Sequence, residues 1–585
     1  MQGLHELVSN NLDIWLDARQ ESSSSGRGRK SKSNLYGVQK LRELILELAI
    51  RGKLVPQSNT DEPSSVVIED IKKIKAKLVK GKVVKNKKMV DISEADVTHE
   101  IPRTWSFERL GNIGNIFNGN SVNARIKNEK YSGLSEGLPF IATKDVGYGF
   151  QALDYSNGVL IPVNEPKFKV AKKGAVLICS EGGSAGKKCG ITSQDICFGN
   201  KLFANELFGN IVPEYILAYY LSPSFYNQFQ NYMTGIIGGI SSAKFSELIV
   251  AIPPIDEQKR IVKKLNQLMA FCDELERKTE ANKSTLDNLA DALLHSLENC
   301  ESSVEAKFNW QGILDNFDLI FTSAKSIQKL KLTILQLAVS GKLVSSEEPD
   351  EEASKLLEKI NTFINEKYES GLLKKRKVQI KEISSVLPIA PNSKWSVCKV
   401  HEISELVTDG THKTPIYQDN GVRFVSAKDI STEELVFSDC KYISEEEHAE
   451  LTKRCKPEYG DILISKSGSI GTVVVVEDKG EFSLFESLAL IKYPQHLINK
   501  YYLQLTLQAA CNNLSDGHIR GVAVKHLHLN VIRGLKILIP PLREQIRIVK
   551  KYNELATICD NLTVLINKSS QFQMLLADET VLQVN

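Results

Sequence analysis

The sequence predicts an α+β protein built by tandem duplication, in which two compact α/β domains are carried on long helices. Three observations predict this class. Residues 252–275 and 539–562 are identical at 15 of 24 positions, at an offset of 287. Residues 40–55 return as residues 329–344 at an offset of 289. The regions between these segments differ from them in kind, with short β-rich runs separated by glycines and turns. The period is far too long for a solenoid, so the duplicated unit is a multi-element block.

Each copy reads in the same order. Asn11-Leu-Asp-Ile14 resembles Asn316-Phe-Asp-Leu319 at an offset of 305, so the first copy holds 16 extra residues before the offset settles at 289. Those extra residues include the Ser/Gly/basic stretch 21–33, which reads as a disordered linker, with DNA contact left open. An amphipathic helix follows, with Leu41, Leu44, Ile45 and Leu48 on one face and Gly52 as its stop. Leu330, Ile334, Leu337 and Gly341 repeat it. Next come basic runs: nine lysines between 72 and 88, and Lys374-Lys-Arg-Lys377 in the second copy. A solvated helix face and a phosphate contact are both open readings of these runs.

The divergent regions, about 100–250 and 395–538, share only framework pieces. Trp105-Ser106 returns as Trp395-Ser396, residues 140–145 (FIATKD) as 424–429 (FVSAKD), and 174–178 as 460–464. Each copy then enters a long helix after Pro253-Pro254 or Pro540-Pro541, where proline suits the first turn. A 4-3 heptad series continues through Ile261, Leu265, Leu268, Cys272, Leu275, Leu286, Leu289 and Leu293. The second copy gives Ile548, Leu555, Cys559 and Leu562. Such a series is a coiled-coil seam, and two such helices can pack as a stiff spacer of about 50 Å.

Composition excludes several classes. The chain of 585 residues carries 74 basic and 71 acidic side chains, a net charge of +3, so bulk charge does not argue for DNA binding. Collagen, wholesale disorder and a disulfide scaffold are ruled out by composition. The ten cysteines form no CxxC pair and fit free thiols in a reducing compartment. With no run of about 18 apolar residues and no apolar leader, we expect a cytoplasmic protein with no membrane partner.

The duplication also tests motifs, because a shared catalytic device should stand in both copies. Residues 181–188 resemble a phosphate loop, but Glu181 stands where glycine is needed, and residues 465–472 have no lysine after the last glycine. Asp256-Glu-Gln-Lys259 resembles a nuclease cluster, but the second copy reads Arg543-Glu-Gln-Ile546, and helix capping accounts for both. His526 and His528, two apart in an expected strand, have no counterpart in the first copy. No HExxH and no Asn/Asp-Pro-Pro-aromatic methyltransferase motif occurs.

The duplicated I-P-P-x-x-E-Q-x-R-I-V-x-K and L-x-x-x-I-L-x-L-A-x-x-G-K-L-V elements, flanking two divergent domains, resemble the specificity subunits of type I restriction-modification systems over nearly the whole chain. The resemblance implies two target recognition domains separated by an antiparallel coiled coil. Each would read one half of an asymmetric, interrupted double-stranded DNA sequence. It further implies a non-catalytic subunit without its own cofactor. Its partners would be two modification subunits using S-adenosylmethionine and restriction subunits using ATP and Mg. A coiled-coil scaffold that binds protein is the alternative.

On this reading the boundaries are 1–98 for the N-terminal helical region with its basic run and 99–254 for the first recognition domain. Residues 255–390 form the central helical region, 391–541 the second domain and 542–585 the C-terminal helix. Candidate DNA-binding residues are Thr143, Lys144 and Asp145 with Lys428 and Asp429, next to the shared framework. Ser184 and Lys187, with Ser469 and Thr472, stand in the glycine turns, and Lys244 and Lys525 precede the last strand of each domain.

Overall fold

The computed structural model describes residues 11–18, 35–85, 89–93, 96–97, 99–235, 238–300, 303–347, 350–373, 380, 394–431, 433–514 and 526–584. The chain forms two compact units: residues 1–283 with 568–585, and residues 284–567.

In the first unit the helix Tyr36–Ile50 buries Leu41, Leu44, Ile45 and Leu48, as its spacing predicts. It stops at Gly52, which has φ +70° and a Pro102 carbon 2.4 Å from where a Cβ would stand. The short helix Leu12–Asp17 places Trp15 in the same core. The helix Ser64–Lys80 buries Ile68 and Ile71 and turns Lys72, Lys73, Lys77 and Lys80 to solvent. Lys75 is held instead by Gly111 O at 2.9 Å and Asn112 Oδ1 at 2.8 Å.

The divergent domain is an insertion between these helices and the long one. Its first strand, Ser106–Arg109, pairs antiparallel with its last, Ile249–Ile252, so the chain enters and leaves at one place. Inside lie two small sheets. One is antiparallel, in the order Gly114–Asn118, Leu202–Leu207, Val176–Cys179, Cys189–Ile191. The other, in the order Leu160–Ile161, Leu138–Ile141, Ile196–Phe198, Val170–Ala171, has a parallel pair at its centre.

The apolar run around Val176 is buried on both faces, with the period-2 alternation of a strand. Val176 and Ile178 join the core shared with the helices, whereas Leu177 and Cys179 face the core between the sheets. The helices Pro213–Tyr220 and Pro223–Asn231 bring a cluster of buried aromatics against the first face.

The second unit repeats this plan. The helices Ala324–Val339 and Ala353–Glu369 lead to the ladder Ser396–Lys399 with Lys536–Ile539. Its antiparallel sheet runs Leu406–Asp409, Leu488–Lys492, Ile462–Ser465, Val473–Val475, and its mixed sheet runs Lys441–Ile443, Val422–Val425, Phe482–Leu484. Here too, Ile462 and Ile464 face one core and Leu463 the other. The second copy's basic run, 374–377, lies outside the described residues, as do Lys87, Lys88 and the stretch 21–33.

Two long helices join the units: Ile255–Asn299, with 45 residues, leads from the first to the second, and Leu542–Val584, with 43, leads back. Both exceed the expected spacer, at about 65 Å each. In the first unit Ile261, Leu265, Met269 and Cys272 share a core with Ala577, with Leu268, Leu275, Met574 and Val581 packed against it. In the second unit Ala290, Leu294 and Leu297 share a core with Cys559, flanked by Leu293, Leu555, Leu562 and Ile566. Ile548 is fully buried, and Leu286 is half-buried.

The strict heptad fails at Leu289, which is 40% exposed; Ala290, at 1%, takes its place. An α-helix turns every 3.6 residues, so a 3.5-residue series drifts by about 20° per heptad, and the buried stripe moves one residue on. Leu265→Asp should therefore cost several kcal/mol, on the order of 3, because it buries an unpaired charge. Leu289→Asp should stay within about 0.5 kcal/mol of the parent, as a surface change. Urea denaturation of the full chain measures both. Equal losses would show that Leu289 belongs to the seam.

Candidate nucleic-acid interface

The duplicated P-P-x-x-E-Q-x-R motif forms the joint between each domain and its long helix. Trp105 Nε1 donates to Glu257 Oε2 at 2.9 Å, and Trp395 Nε1 to Glu544 Oε1 at 3.1 Å. Gln258 accepts from Val212 N and donates to Pro253 O, both at 2.9 Å, and Gln545 does the same with Asn499 N and Pro540 O. Arg260 reaches Asp61 at 2.5 Å, and Arg547 reaches Asp350 at 2.5 Å. Glu257 and Gln258 thus serve buried partners rather than capping the helix, since both are fully buried. Burial raises the pKa of the Glu257 and Glu544 carboxyls.

Three loops meet at the opposite end of each domain's sheets. In the first domain one is the turn Thr143–Asp145 that follows the strand Leu138–Ile141. Another is the glycine turn 180–188, and the third is the tip 199–201 that follows the parallel strand Ile196–Phe198. Two of the three thus leave the carboxyl ends of parallel strands, where ligands of α/β sheets commonly bind. Lys188 Nζ donates to Thr143 O at 3.1 Å and stands 5.1 Å from the centre of the Tyr148 ring, and Tyr148 Oη lies 3.3 Å from Ser184 Oγ. Lys201 pairs with Glu181 at 3.5 Å. Gly186 has φ +71° and a Phe229 carbon 2.9 Å from where a Cβ would stand, so the turn requires glycine there.

The second domain assembles the same loops. The turn Ala427–Ile430, the glycine turn 466–472 and the tip 485–487 surround a cleft of about 600 Å³. Tyr417, Lys428, Lys441, Ser467 and Ser469 line it. On the other side of the glycine turn Lys466 is buried, with Nζ 2.6 Å from Asp409 Oδ2 and 2.9 Å from Glu486 O. Asp409 also receives Arg454 Nη2 at 2.5 Å.

The candidates named from sequence divide between exposed and internal roles. Lys144 and Lys428 are exposed beside this edge, and Lys428 Nζ is steadied by Asp439 O at 2.5 Å. Asp145 and Asp429 are buried and close their own turns, accepting from Ala142 N at 2.8 Å and Ser426 N at 2.7 Å. Thr143 offers its carbonyl to Lys188, while Ser184 and Ser469 line the edge. Lys187 is exposed over the Tyr226 ring at 5.6 Å. Thr472 holds its own turn, its hydroxyl donating to Ser469 O at 2.9 Å, and the strand pairings make Lys188 rather than Lys187 its equivalent in the first domain.

Lys244 is exposed on the helix Ser242–Ser246, and Lys525 lies outside the described residues. His526 and His528 are not in a strand: His526 makes one isolated bridge, and His528 precedes the helix Leu529–Gly534. Among the described residues no group of His, Cys, Asp or Glu could hold a metal ion, and no helix is long and apolar enough to cross a membrane. Sequence reading passed over Tyr148, Tyr417, Lys188, Lys441 and Lys466. An aromatic or lysine beside each framework piece was the available signal.

Two divergent loop constellations thus stand on one duplicated frame. The family model for the type I restriction modification DNA specificity domain matches twice, at residues 102–283 and 392–568. The chain is 30% identical to the type I restriction enzyme EcoAI specificity subunit of Escherichia coli, over 98% of each chain. It is 29% identical to the EcoEI specificity subunit of the same species, again over 98% of each. The solved HsdS subunit from Thermoanaerobacter tengcongensis aligns over 83% of this chain and 98% of that one, with 15% identity and a TM-score of 0.40. The chain belongs to the specificity subunits of type I restriction-modification systems.

Two predictions concern the joint. Glu257→Ala strands the buried Trp105 N–H and should cost about 1–3 kcal/mol, whereas Glu257→Gln keeps an acceptor and should cost less. Thermal melting of the two variants compares them. Asp350 is held below its ordinary pKa, first by the hydrogen bond from Arg547. A depressed carboxylate stabilises the fold above the unfolded value of about 4 and loses that contribution as pH falls through the folded value. Asp350→Asn should therefore lower stability at pH 7 and converge on the parent in strong acid, as read from urea midpoints across pH.

Proposed function

We propose that the chain itself catalyses nothing and directs partner subunits to one asymmetric, interrupted DNA sequence, each domain reading one half. The observation that carries this reading is the convergence of the same three loops in both domains, on one frame, with different side chains. A duplicated frame suits two equivalent docking surfaces, and divergent loops suit two different half-sites. Two modification subunits would dock on the helical parts and methylate adenine from S-adenosylmethionine. Restriction subunits would add ATP- and Mg-dependent cleavage. The long helices, each beginning in one unit and ending in the other, support a role in fixing the spacing between half-sites. The setting would be the cytoplasm, where the DNA and these partners meet.

Co-expression with the modification subunits, followed by single-molecule methylome sequencing, tests the proposal. One asymmetric motif with an unspecified gap and methylated adenines is expected. A palindromic motif, or none beside an active modification partner, would refute it.

A further inference from the structure

The tips 199–201 and 485–487 are superimposable by their hydrogen bonds. Gly199 N donates to Ile141 O at 2.9 Å, and Phe485 N to Val425 O at 2.9 Å. Leu202 N donates to Gly199 O at 3.1 Å, and Leu488 N to Phe485 O at 3.0 Å. Asn200 and Glu486 therefore occupy one and the same position in the two domains.

Both tips sit against the other two loops of the edge. Lys201 reaches Glu181 of the glycine turn, and Ser487 Oγ accepts from Ala427 N at 3.0 Å. Asn200 is exposed there. Glu486 is half-buried and lines a cleft of about 600 Å³ with Asp409, His412, Lys466 and Arg533. Its Oε2 lies 3.5 Å from His526 Nε2, 3.9 Å from Lys466 Nζ and 4.0 Å from His412 Nδ1. A carboxylate at a DNA-facing edge is repelled by phosphates, and Lys466 with Arg533 nearby offsets that repulsion.

The two side chains offer different chemistry to a base edge. Ionised glutamate only accepts, which matches the N4 amino group of cytosine in the major groove. The asparagine amide both accepts and donates, which matches N6 and N7 of adenine. We propose that Asn200 and Glu486 determine specificity at equivalent points of the two half-sites, Asn200 reading an adenine and Glu486 a cytosine. The proposal rests on the reading of each domain as a half-site reader.

The test uses the full chain assembled with its modification subunits and the motif that the parent complex modifies. Competition binding compares duplexes carrying every single base-pair change in both halves. For the parent, a change at each contacted pair should weaken binding on the order of 10- to 100-fold. In Glu486→Ala and Glu486→Gln that discrimination should collapse at one C·G pair of one half-site, with all other positions unchanged. In Asn200→Ala it should collapse at one A·T pair of the other half.

Discrimination unchanged at every position, or weakened evenly across all of them, would overturn the proposal. Asn200 is exposed, so its variant still decides should the Glu486 variants fail to fold. A parent complex that modifies no interrupted motif would instead refute the proposed function, which keeps the two failures apart.

Discussion

Everything in either unit hangs on a buried joint where a tryptophan indole meets a glutamate carboxylate at the start of a long helix. The two-strand ladder brings the ends of the domain together, Ser106 opposite Ile252 and Ser396 opposite Ile539. Trp105 and Trp395 then lock that closure onto Glu257 and Glu544, and the neighbouring glutamine ties the domain's helical part to the same point. A buried carboxylate is costly unless its oxygens are satisfied, so each partner in the joint constrains the others. Gln57 and Ser346 complete the set from the loop between the two preceding helices, at 2.5 Å and 2.9 Å.

This arrangement separates what must stay constant from what can vary. The joint and the two-faced strands use backbone pairing and apolar packing, which fix position without using the polar surface. Val176 and Ile178 on one face and Leu177 and Cys179 on the other leave those strands no exposed side chain with which to read anything. On the proposed reading, recognition falls to the loops that leave the strand ends. These loops leave equivalent strand ends in both domains, yet Lys466 stands where the first domain has Ser180, and Asp409 where it has Asn118. Both turns carry the same backbone bonds, Ser180 N to Lys201 O and Ile240 N to Ser180 O in the first domain and Lys466 N to Ser487 O and Leu527 N to Lys466 O in the second, and the second adds a buried lysine–aspartate pair.

Much of the frame was legible in sequence because its residues act locally or recur. The apolar spacing of Leu41, Leu44, Ile45 and Leu48, the stop at Gly52 and the duplicated motif all depend on neighbours close in the chain. Leu289 was misplaced because a strict heptad ignores the slow rotation of a straight helix. Glu257 looked like a capping residue because its partner, Trp105, lies 152 residues earlier. The edge itself was only partly legible. Lys144 and Lys428 could be named from their framework pieces, but sheet pairing alone brings the tips beside them. No periodicity marks Asn200 or Glu486, and the buried roles of Asp145 and Asp429 follow from backbone bonds that spacing does not reveal.

The near-zero net charge also becomes intelligible at this edge. Binding to a polyanion needs cations where the phosphates are, not an excess over the whole chain. Here lysines are held by neighbours before any ligand arrives: Lys188 on the Thr143 carbonyl and beside the Tyr148 ring, Lys187 over Tyr226, and Lys428 on the Asp439 carbonyl. A lysine so braced loses less rotamer freedom on contact than a free one, which by itself gives up on the order of 1–2 kcal/mol. Carboxylates close to these cations, such as Glu181 beside Lys201, then limit the attraction to any stretch of backbone. Weak general attraction and well-oriented donors favour discrimination over bulk affinity, which is what a subunit that chooses the sequence requires.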